Sequence, residues 1–186
     1  MKIFLHLSLI IIIIGITKAD ENAVAPTKPG IEVCFVISAR KLPDTDNMGT
    51  NSPDGYVAIE YFATTSAKPT VTNTSVLDNS HNPDWKEVYH IIYHPGRGQM
   101  LVFNVYDHNM MTKDVKIGSV SISVGEMAKN AKRRIEMDII GSAKDSGRLV
   151  LFMKVNGTTY EDTEVRLRNK YEKVIHIGGH YKYVEE

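Results

Sequence analysis

The chain has 186 residues, of which 42% are hydrophobic and 24% are charged, a balance that is typical of a folded globular domain and excludes an intrinsically disordered chain. The 22 basic and 22 acidic side chains leave no excess of positive charge, which argues against a nucleic-acid partner.

The first nineteen residues have the organisation of a secretory signal peptide. Lys2 is positively charged, residues 4–16 form an apolar run, and Thr17 and Ala19 offer small side chains at the usual cleavage positions. A signal anchor is the alternative, although the run is shorter than the roughly 20 residues of a membrane-spanning helix. We therefore expect a secreted, extracellular protein whose mature chain begins at Asp20 and carries a net charge of −2, because the peptide contains two lysines and no acid.

Short apolar runs separated by turn-forming residues follow a polar linker at residues 20–30. The runs alternate with period two or are continuously apolar, and they recur about every 8–12 residues, as in a two-sheet sandwich. They predict eight strands, at residues 31–38, 56–62, 70–76, 85–93, 100–106, 118–124, 134–140 and 149–155. Residues 125–132 predict either a helical turn or a loop. The pattern therefore predicts an all-β fold, an eight-stranded antiparallel β-sandwich.

Cys34 is the single cysteine of the chain and lies in the first predicted strand. It cannot form an intramolecular disulfide, so the core alone must stabilise the fold. A buried, inert thiol is the expected state, and an intermolecular disulfide is the alternative.

Three loops between predicted strands are rich in oxygen donors, at residues 44–55, 77–83 and 107–118. In the third loop, Asp107, Asn109 and Asp114 flank the pair Met110-Met111. Carboxylate, amide and carbonyl oxygens are the ligands that hard cations such as calcium prefer. Adjacent exposed methionines suit a membrane or partner surface. The structural alternative is that the acids are ordinary turn aspartates.

Three motifs in these loops resemble, in the correct order, the signature of the C2 domain family. They are Asp54-Gly55-Tyr56-Val57, then Asn82-Pro83-Asp84-Trp85-Lys86-Glu87, and finally Val105-Tyr106-Asp107 with Ile117-Gly118. The resemblance covers residues 31–155 and implies a calcium-dependent phospholipid-binding sandwich.

Within that family, the pattern is similar to the C2 domain of the cytosolic calcium-dependent phospholipases. The similarity rests on Asn51-Ser52-Pro53-Asp54, on Asn79 three residues before Asn82-Pro83, and on Asp107-His108-Asn109. Because the signature begins on the strand just before the first loop, the resemblance implies the circularly permuted order called type II topology. The C2 domain of perforin, with a similar Asp-Gly-Tyr-Val motif, is a second relative.

The resemblance implies a calcium site at one end of the sandwich. Carried over by position, its ligands are Asn51, the Ser52 carbonyl, Asp54, Asn79, Asp107, the His108 carbonyl and Asn109. Asp46 and Asp114 stand where other C2 domains place outer carboxylates. The phospholipase pattern has an aspartate in place of Asn51, so that either Asn51 or Asp46 completes the site.

Three methionines lie at the tips of the loops that would hold the ion. Met48, Met110 and Met111 would either insert into the lipid interface or fold back onto their own loops. The strands contain no dense lysine cluster, which favours a mechanism based on calcium and apolar contacts over a polybasic one.

Two N-glycosylation sequons begin at Asn73 and Asn156. Residues 156–186 lie outside the resemblance and predict a hairpin across Gly178-Gly179 or a flexible tail, in which His176 could face His180. These two histidines alone are a poor argument for a metal site.

The sequence contains no Gly-x-Ser-x-Gly elbow and no zinc-ligand spacing, so no enzyme is expected. The first hypothesis is a secreted, monomeric C2 module that binds phospholipid membrane surfaces through calcium. The second is an extracellular protein-interaction or matrix protein whose sandwich has lost effective calcium binding, as the neutral Asn51 and Asn109 would favour. A third, an accessory to a pore-forming or immune system, rests on analogy with perforin alone.

Overall fold

The computed structural model describes residues 30–45, 52–130, 134–141, 145–155, 158–159 and 174–178. The predicted signal peptide and linker up to residue 29 lie outside the described residues, as do Asp46, Met48, Asn51 and Asn156. The described elements are the strands β1 (Ile31–Arg40), β2 (Gly55–Phe62), β3 (Thr70–Asn73), β4 (Val88–Tyr93), β5 (Met100–Asp107), β6 (Val115–Ser123), β7 (Ile135–Asp138), β8 (Ile140–Gly141), β9 (Arg148–Val155), β10 (Thr158–Thr159) and β11 (Val174–His176), and the helix α1 (Val124–Lys129).

The strands form two sheets. Sheet A has the order β10-β9-β1-β4-β11, with β7 also paired to β9, and sheet B has the order β3-β2-β5-β6-β8. The pairings are antiparallel except for that of β11 with β4. The predicted all-β sandwich is confirmed. The strand before the first loop, β1, pairs with the closing strand β9, as the permuted order requires.

Alternation along the strands places one face of each sheet in a shared core. On β1, Val33, Phe35 and Ile37 are fully buried. Phe35 stacks on Tyr89 with the ring centroids 5.3 Å apart and meets Phe103 edge-on at 6.1 Å. Because Phe103 belongs to sheet B, these aromatic contacts join the two layers.

Two predicted strands are shorter in the structure. The strand predicted at 70–76 ends at Asn73. Thr74 is buried, its N–H still donates to Val57 O at 3.0 Å, and its hydroxyl accepts a hydrogen bond from Val57 N at 2.9 Å. The run at 85–93 begins pairing as a strand only at Val88. Trp85 is buried, but its backbone N–H donates to Ile37 O across an isolated bridge. In the second run the apolar pattern reports burial and not strand pairing, whereas Val71 and Val76 of the first run are exposed.

The predicted strand at 134–140 is divided between the sheets. Ile135–Asp138 pairs with β9 in sheet A, whereas Ile140–Gly141 pairs with β6 in sheet B. Ile139 is buried at the crossing. The prediction of one continuous strand there is wrong, because a single period-two run does not show that the chain changes sheets.

Residues 125–132, which the sequence left open between a helical turn and a loop, contain most of α1, which begins at Val124, the last residue of the strand predicted at 118–124. The Ser123 side chain accepts a hydrogen bond from Glu126 N at 3.0 Å, as an N-cap does, and Val124 and Met127 are buried on one face. Within the described residues, no helix is long and apolar enough to cross a membrane.

Residues 174–178 differ from the predicted surface hairpin or flexible tail. Val174–His176 adds a parallel strand to the edge of sheet A beside β4. Ile177 N donates to His90 O at 2.8 Å and the Ile177 side chain is buried. Gly179 and His180 lie outside the described residues. His176 instead faces His90, with their Nδ1 atoms 3.0 Å apart.

Cys34 is half-buried on the outer face of β1 and does not lie in the main core, so the prediction of a buried side chain is wrong. It packs against a small cluster formed by Val36, Val88, Val150 and Phe152. Partial burial and the negative charge of Glu32 raise the pKa of the thiol to about 11, which makes it a poor nucleophile at neutral pH.

Candidate metal centre

The three oxygen-rich loops meet because of the strand register in sheet B. Gly55 at the start of β2 is paired with Asp107 at the end of β5, and Asp107 is paired with Val115 at the start of β6. The isolated bridge between Gly55 and Leu77 adds the second loop. Asp107 therefore lies between the first and third loops, at one end of the sandwich.

The Asp107 carboxylate is buried, with 1% of the residue exposed. Its Oδ1 accepts a hydrogen bond from Asp54 N at 2.8 Å, and its Oδ2 accepts one from the Thr45 hydroxyl at 2.6 Å. Burying a carboxylate is costly unless hydrogen-bond donors satisfy it. Because a carboxylate has about four lone-pair positions, these two bonds leave capacity for a cation.

Asp54 links all three loops. Its Oδ1 accepts from Asn79 N at 2.7 Å, and its backbone carbonyl accepts from His108 N at 2.9 Å. Asn79 has a φ of 55°, a left-handed conformation that asparagine tolerates better than most residues. The backbone thus gives Asn79 a conformational role in addition to its predicted role as a ligand.

Asp114 closes the third loop on itself. Its Oδ2 accepts from the Tyr56 hydroxyl at 2.8 Å, and its Oδ1 accepts from Asn109 N at 3.1 Å and faces His108 Nδ1 at 3.0 Å. The hydrogen bond from Tyr56, followed by that from Asn109 N, lowers the pKa of Asp114. Burial and the same carboxylate raise the pKa of Tyr56 to about 12.

The described residues supply part of the predicted ligand set. Asp54 and Asp107 are adjacent, and the backbone N–H groups of Asn79 and His108 donate to Asp54, whereas that of Asn109 donates to Asp114. Ser52 is half-buried in the first loop. Asp46 and Asn51 lie outside the described residues, and Asp114 as an outer ligand stays a prediction.

The chemistry of these residues suits a hard cation. The oxygen ligands that the described residues offer at this end belong to carboxylates, amides and carbonyls, which suit calcium. A complete set of six to eight ligands would also need the predicted Asn51 or Asp46. Of the proposed membrane-contacting residues, Met110 and Met111 are 92% and 96% exposed.

Sequence reasoning missed Thr45 and Tyr56. Each donates a hydroxyl to a carboxylate of another loop, over sequence separations of 62 and 58 residues. Tyr56 is half-buried beside Tyr106, with the ring centroids 5.2 Å apart. The sequence signal that could have identified Tyr56 is its position in the motif Asp54-Gly55-Tyr56-Val57, directly after the predicted ligand Asp54 and Gly55.

The fold and the site define a β-sandwich whose connecting loops gather acidic residues at one end. The C2 domain family model matches residues 31–139, and the chain belongs to the C2 domain family. The predicted membership is confirmed.

Among curated proteins, the relatives include plant synaptotagmins. Synaptotagmin-3 of Arabidopsis thaliana is 23% identical over 171 residues, which cover 87% of this chain and 31% of that relative. The chain therefore spans less than a third of that protein's length.

Solved structures of the same fold include a calcium-bound structure of the two C2 domains of Extended-Synaptotagmin 2, with a TM-score of 0.56 and 22% identity over 69% of this chain and 46% of that one. Human GIVD cytosolic phospholipase A2 has a TM-score of 0.55 and 16% identity, covering 70% of this chain and 17% of that one. At these identities the similarity shows the fold alone.

Replacing Tyr56 with Phe should raise the pKa of Asp114, because the Tyr56 hydroxyl is the largest cause of its lowering. A carboxyl whose pKa is lowered by folding stabilises the fold above its unfolded pKa, and this stabilisation is lost as pH falls through the folded pKa. Tyr56→Phe should therefore lose stability at neutral pH and show a weaker acid dependence. Carbon-detected NMR titration of the Asp114 carboxyl, with divalent ions chelated, measures the pKa.

Tyr106→Phe is the matched control, since it removes a hydroxyl from the ring stacked on Tyr56. An Asp114 pKa that is the same in Tyr56→Phe and in the wild type would show that the hydrogen bond is not made in solution.

Proposed function

We propose that this chain is a secreted C2 module without catalytic activity that binds phospholipid membrane surfaces through calcium. The observation on which this rests is the exposure of Met110 and Met111, which lie in the loop that begins at Asp107. Soluble proteins seldom expose adjacent large apolar side chains without a binding function. Here the apolar tip lies next to the acidic end of the sandwich.

Electrostatics explains why a cation is needed at that end. Asp54 and Asp107 would repel the phosphate groups of a membrane that approaches the methionines. Calcium, when bound, would neutralise these carboxylates and offer coordination positions to lipid phosphate oxygens. Thr45 and the Asp54 N–H hold the Asp107 carboxylate in place for this role. The calcium-bound structure of Extended-Synaptotagmin 2, which has a similar fold, supports the proposal.

The methionines account for the strength of docking. Burying one such side chain contributes about 1.5–3 kcal/mol. Met110 and Met111 together are therefore sufficient for reversible binding. Because the strands contain no dense lysine cluster, this mechanism also permits zwitterionic lipid.

A second candidate is an extracellular interaction protein that has lost effective calcium binding. The observation that favours it is the set of donors on Asp114, which satisfies both carboxylate oxygens from within the third loop and its neighbour Tyr56. Asn109 is neutral, so the third loop carries less negative charge than it would with an aspartate at that position. Calorimetric titration separates the candidates, because a silent trace at millimolar calcium would favour the second.

Replacing Asp54 with Asn should weaken calcium binding about tenfold or more, because affinity follows the number of charged ligands. The variant is chosen because its side-chain oxygen can still accept from Asn79 N, so the loop contact is retained while the charge is lost. Isothermal titration with calcium gives the affinity, and co-sedimentation with phosphatidylcholine vesicles in calcium or chelator gives membrane binding.

Asp138→Asn is the control, since it removes one negative charge from the exposed end of strand β7. Equal vesicle binding by the wild type in calcium and in chelator would contradict the proposed mechanism.

Replacing Met110 and Met111 singly with Gln should weaken calcium-dependent vesicle binding about tenfold or more for each residue, because each change removes apolar area from the lipid contact. Calcium affinity in solution should stay the same, since neither side chain supplies an oxygen ligand. Val71→Thr, at an exposed position on β3, is the matched control. Unchanged vesicle affinity in the double variant would exclude insertion of this loop.

Secretion is the remaining part of the proposal. It rests on residues 1–19, and the exposure of Asn73 at the end of β3 is compatible with glycosylation. Expression in a secretory host should release a chain that begins at Asp20, as N-terminal sequencing would show. A retained Met1 on a membrane-bound product would favour the signal anchor instead.

A further inference from the structure

Four metal-ligating side chains gather on the outer face of sheet A. In the strand register, His90 on β4 lies between Cys34 on β1 and His176 on β11. Their neighbours along the strands, such as Val33 and Tyr89, face the core, so these three residues face outward. Glu32 precedes Cys34 by two residues and therefore shares its face.

The distances between the donor atoms are short. His90 Nε2 is 2.8 Å from Glu32 Oε1, and Cys34 Sγ is 3.9 Å from the same oxygen. The ligand atoms of Glu32, Cys34 and His90 all lie within 4.8 Å of one another. On the other side of the ring, His90 Nδ1 is 3.0 Å from His176 Nδ1.

We propose that Glu32, Cys34 and His90 bind a borderline transition-metal cation of the zinc class. Thiolate, imidazole and carboxylate are the ligands of zinc, whereas calcium takes oxygen donors alone. With zinc–ligand bonds of about 2.0–2.3 Å, donor atoms on one tetrahedral ion lie roughly 3.3–3.7 Å apart, so small side-chain movements suffice here. Three protein ligands leave a fourth position for water or another ligand.

His176 is a positioning residue in this arrangement. For His90 Nε2 to bind a cation with its lone pair, the ring proton must be on Nδ1, and His176 Nδ1 lies where it can accept that proton's hydrogen bond. The two rings are nearly perpendicular, at 82°, with their centroids 4.9 Å apart. The residue thereby selects the His90 tautomer that the metal requires.

Among the charges near Cys34, one opposes the binding of a cation and one favours it. Lys154 on β9 is paired in register with Cys34, and its ammonium disfavours a cation. Glu32 offsets it as a ligand, and the long lysine side chain can direct its charge into solvent. On binding, the Cys34 thiol proton passes to solvent, so the thiolate and carboxylate charges together balance the two positive charges of the cation.

Cobalt(II) titration of the purified chain tests the site. Because Cys34 is the only cysteine, any thiolate-to-cobalt charge-transfer absorption in the near ultraviolet must arise from it. The wild type should show this absorption, zinc should compete it away, and bound zinc should slow the reaction of Cys34 with a thiol reagent. The absorption should be absent in Cys34→Ser and zinc affinity reduced in Glu32→Gln, both at half-buried positions where folding is expected to survive.

His176→Ala tests the positioning role. It should weaken zinc binding about 10- to 100-fold while the charge-transfer absorption remains at high cobalt concentration. His176→Gln should restore part of the affinity, because its amide oxygen can accept from His90 Nδ1–H. His94→Ala, at a histidine outside the cluster, should change neither property.

Three outcomes would contradict the proposed zinc site. They are the absence of thiolate absorption in the wild type, equal zinc affinity in Cys34→Ser and the wild type, and absorption that appears only with a dimer in sedimentation velocity. The calcium assays are unaffected by any of these results, so the two proposals fail independently.

Discussion

The buried carboxylate of Asp107 constrains the whole acidic end of the sandwich. A charge with 1% exposure must be satisfied locally, and the two donors that do so come from the first loop, on either side of residues 46–51. Both flanks of the first loop, at Thr45 and Asp54, are therefore attached to the end of strand β5. With the Asp54 backbone fixed in this way, its carboxylate lies toward Asn79 and joins the second loop.

The order of the strands could be predicted because the apolar pattern is local. Residues such as Val33, Phe35 and Ile37 alternate with outward-facing neighbours, and the core follows directly from that period. Strand ends were less predictable, since pairing depends on a partner elsewhere in the chain. Strand β6 begins at Val115, but Val115 and Lys116 are both exposed. Their pairing with β5 therefore produces no alternation of apolar and polar residues by which the sequence could show where the strand begins.

The proximity of Asp54 and Asp107 could also be predicted, but not the hydrogen bonds of the candidate site. Asp54 and Asp107 come together because they flank paired strand ends, which the motif order already implied. The partners of Asp107 and Asp114 depend on side-chain orientation across separations of about sixty residues. The parallel strand β11 is a similar case. The glycine pair after it suggested a local hairpin, whereas His176 packs against a strand 86 residues away.

The contacts of Asp114 bear on how calcium would act, if the proposed function holds. The third loop is closed by hydrogen bonds from Tyr56, His108 and Asn109, all within the protein. These bonds use the Asp114 carboxylate, and not those of Asp54 and Asp107, to support the loop that exposes Met110 and Met111. Calcium dependence would then arise from neutralising Asp54 and Asp107 and not from ordering the methionine tip. On this reasoning, removing calcium leaves an apolar tip that is already presented but is kept from the membrane by the charge beside it.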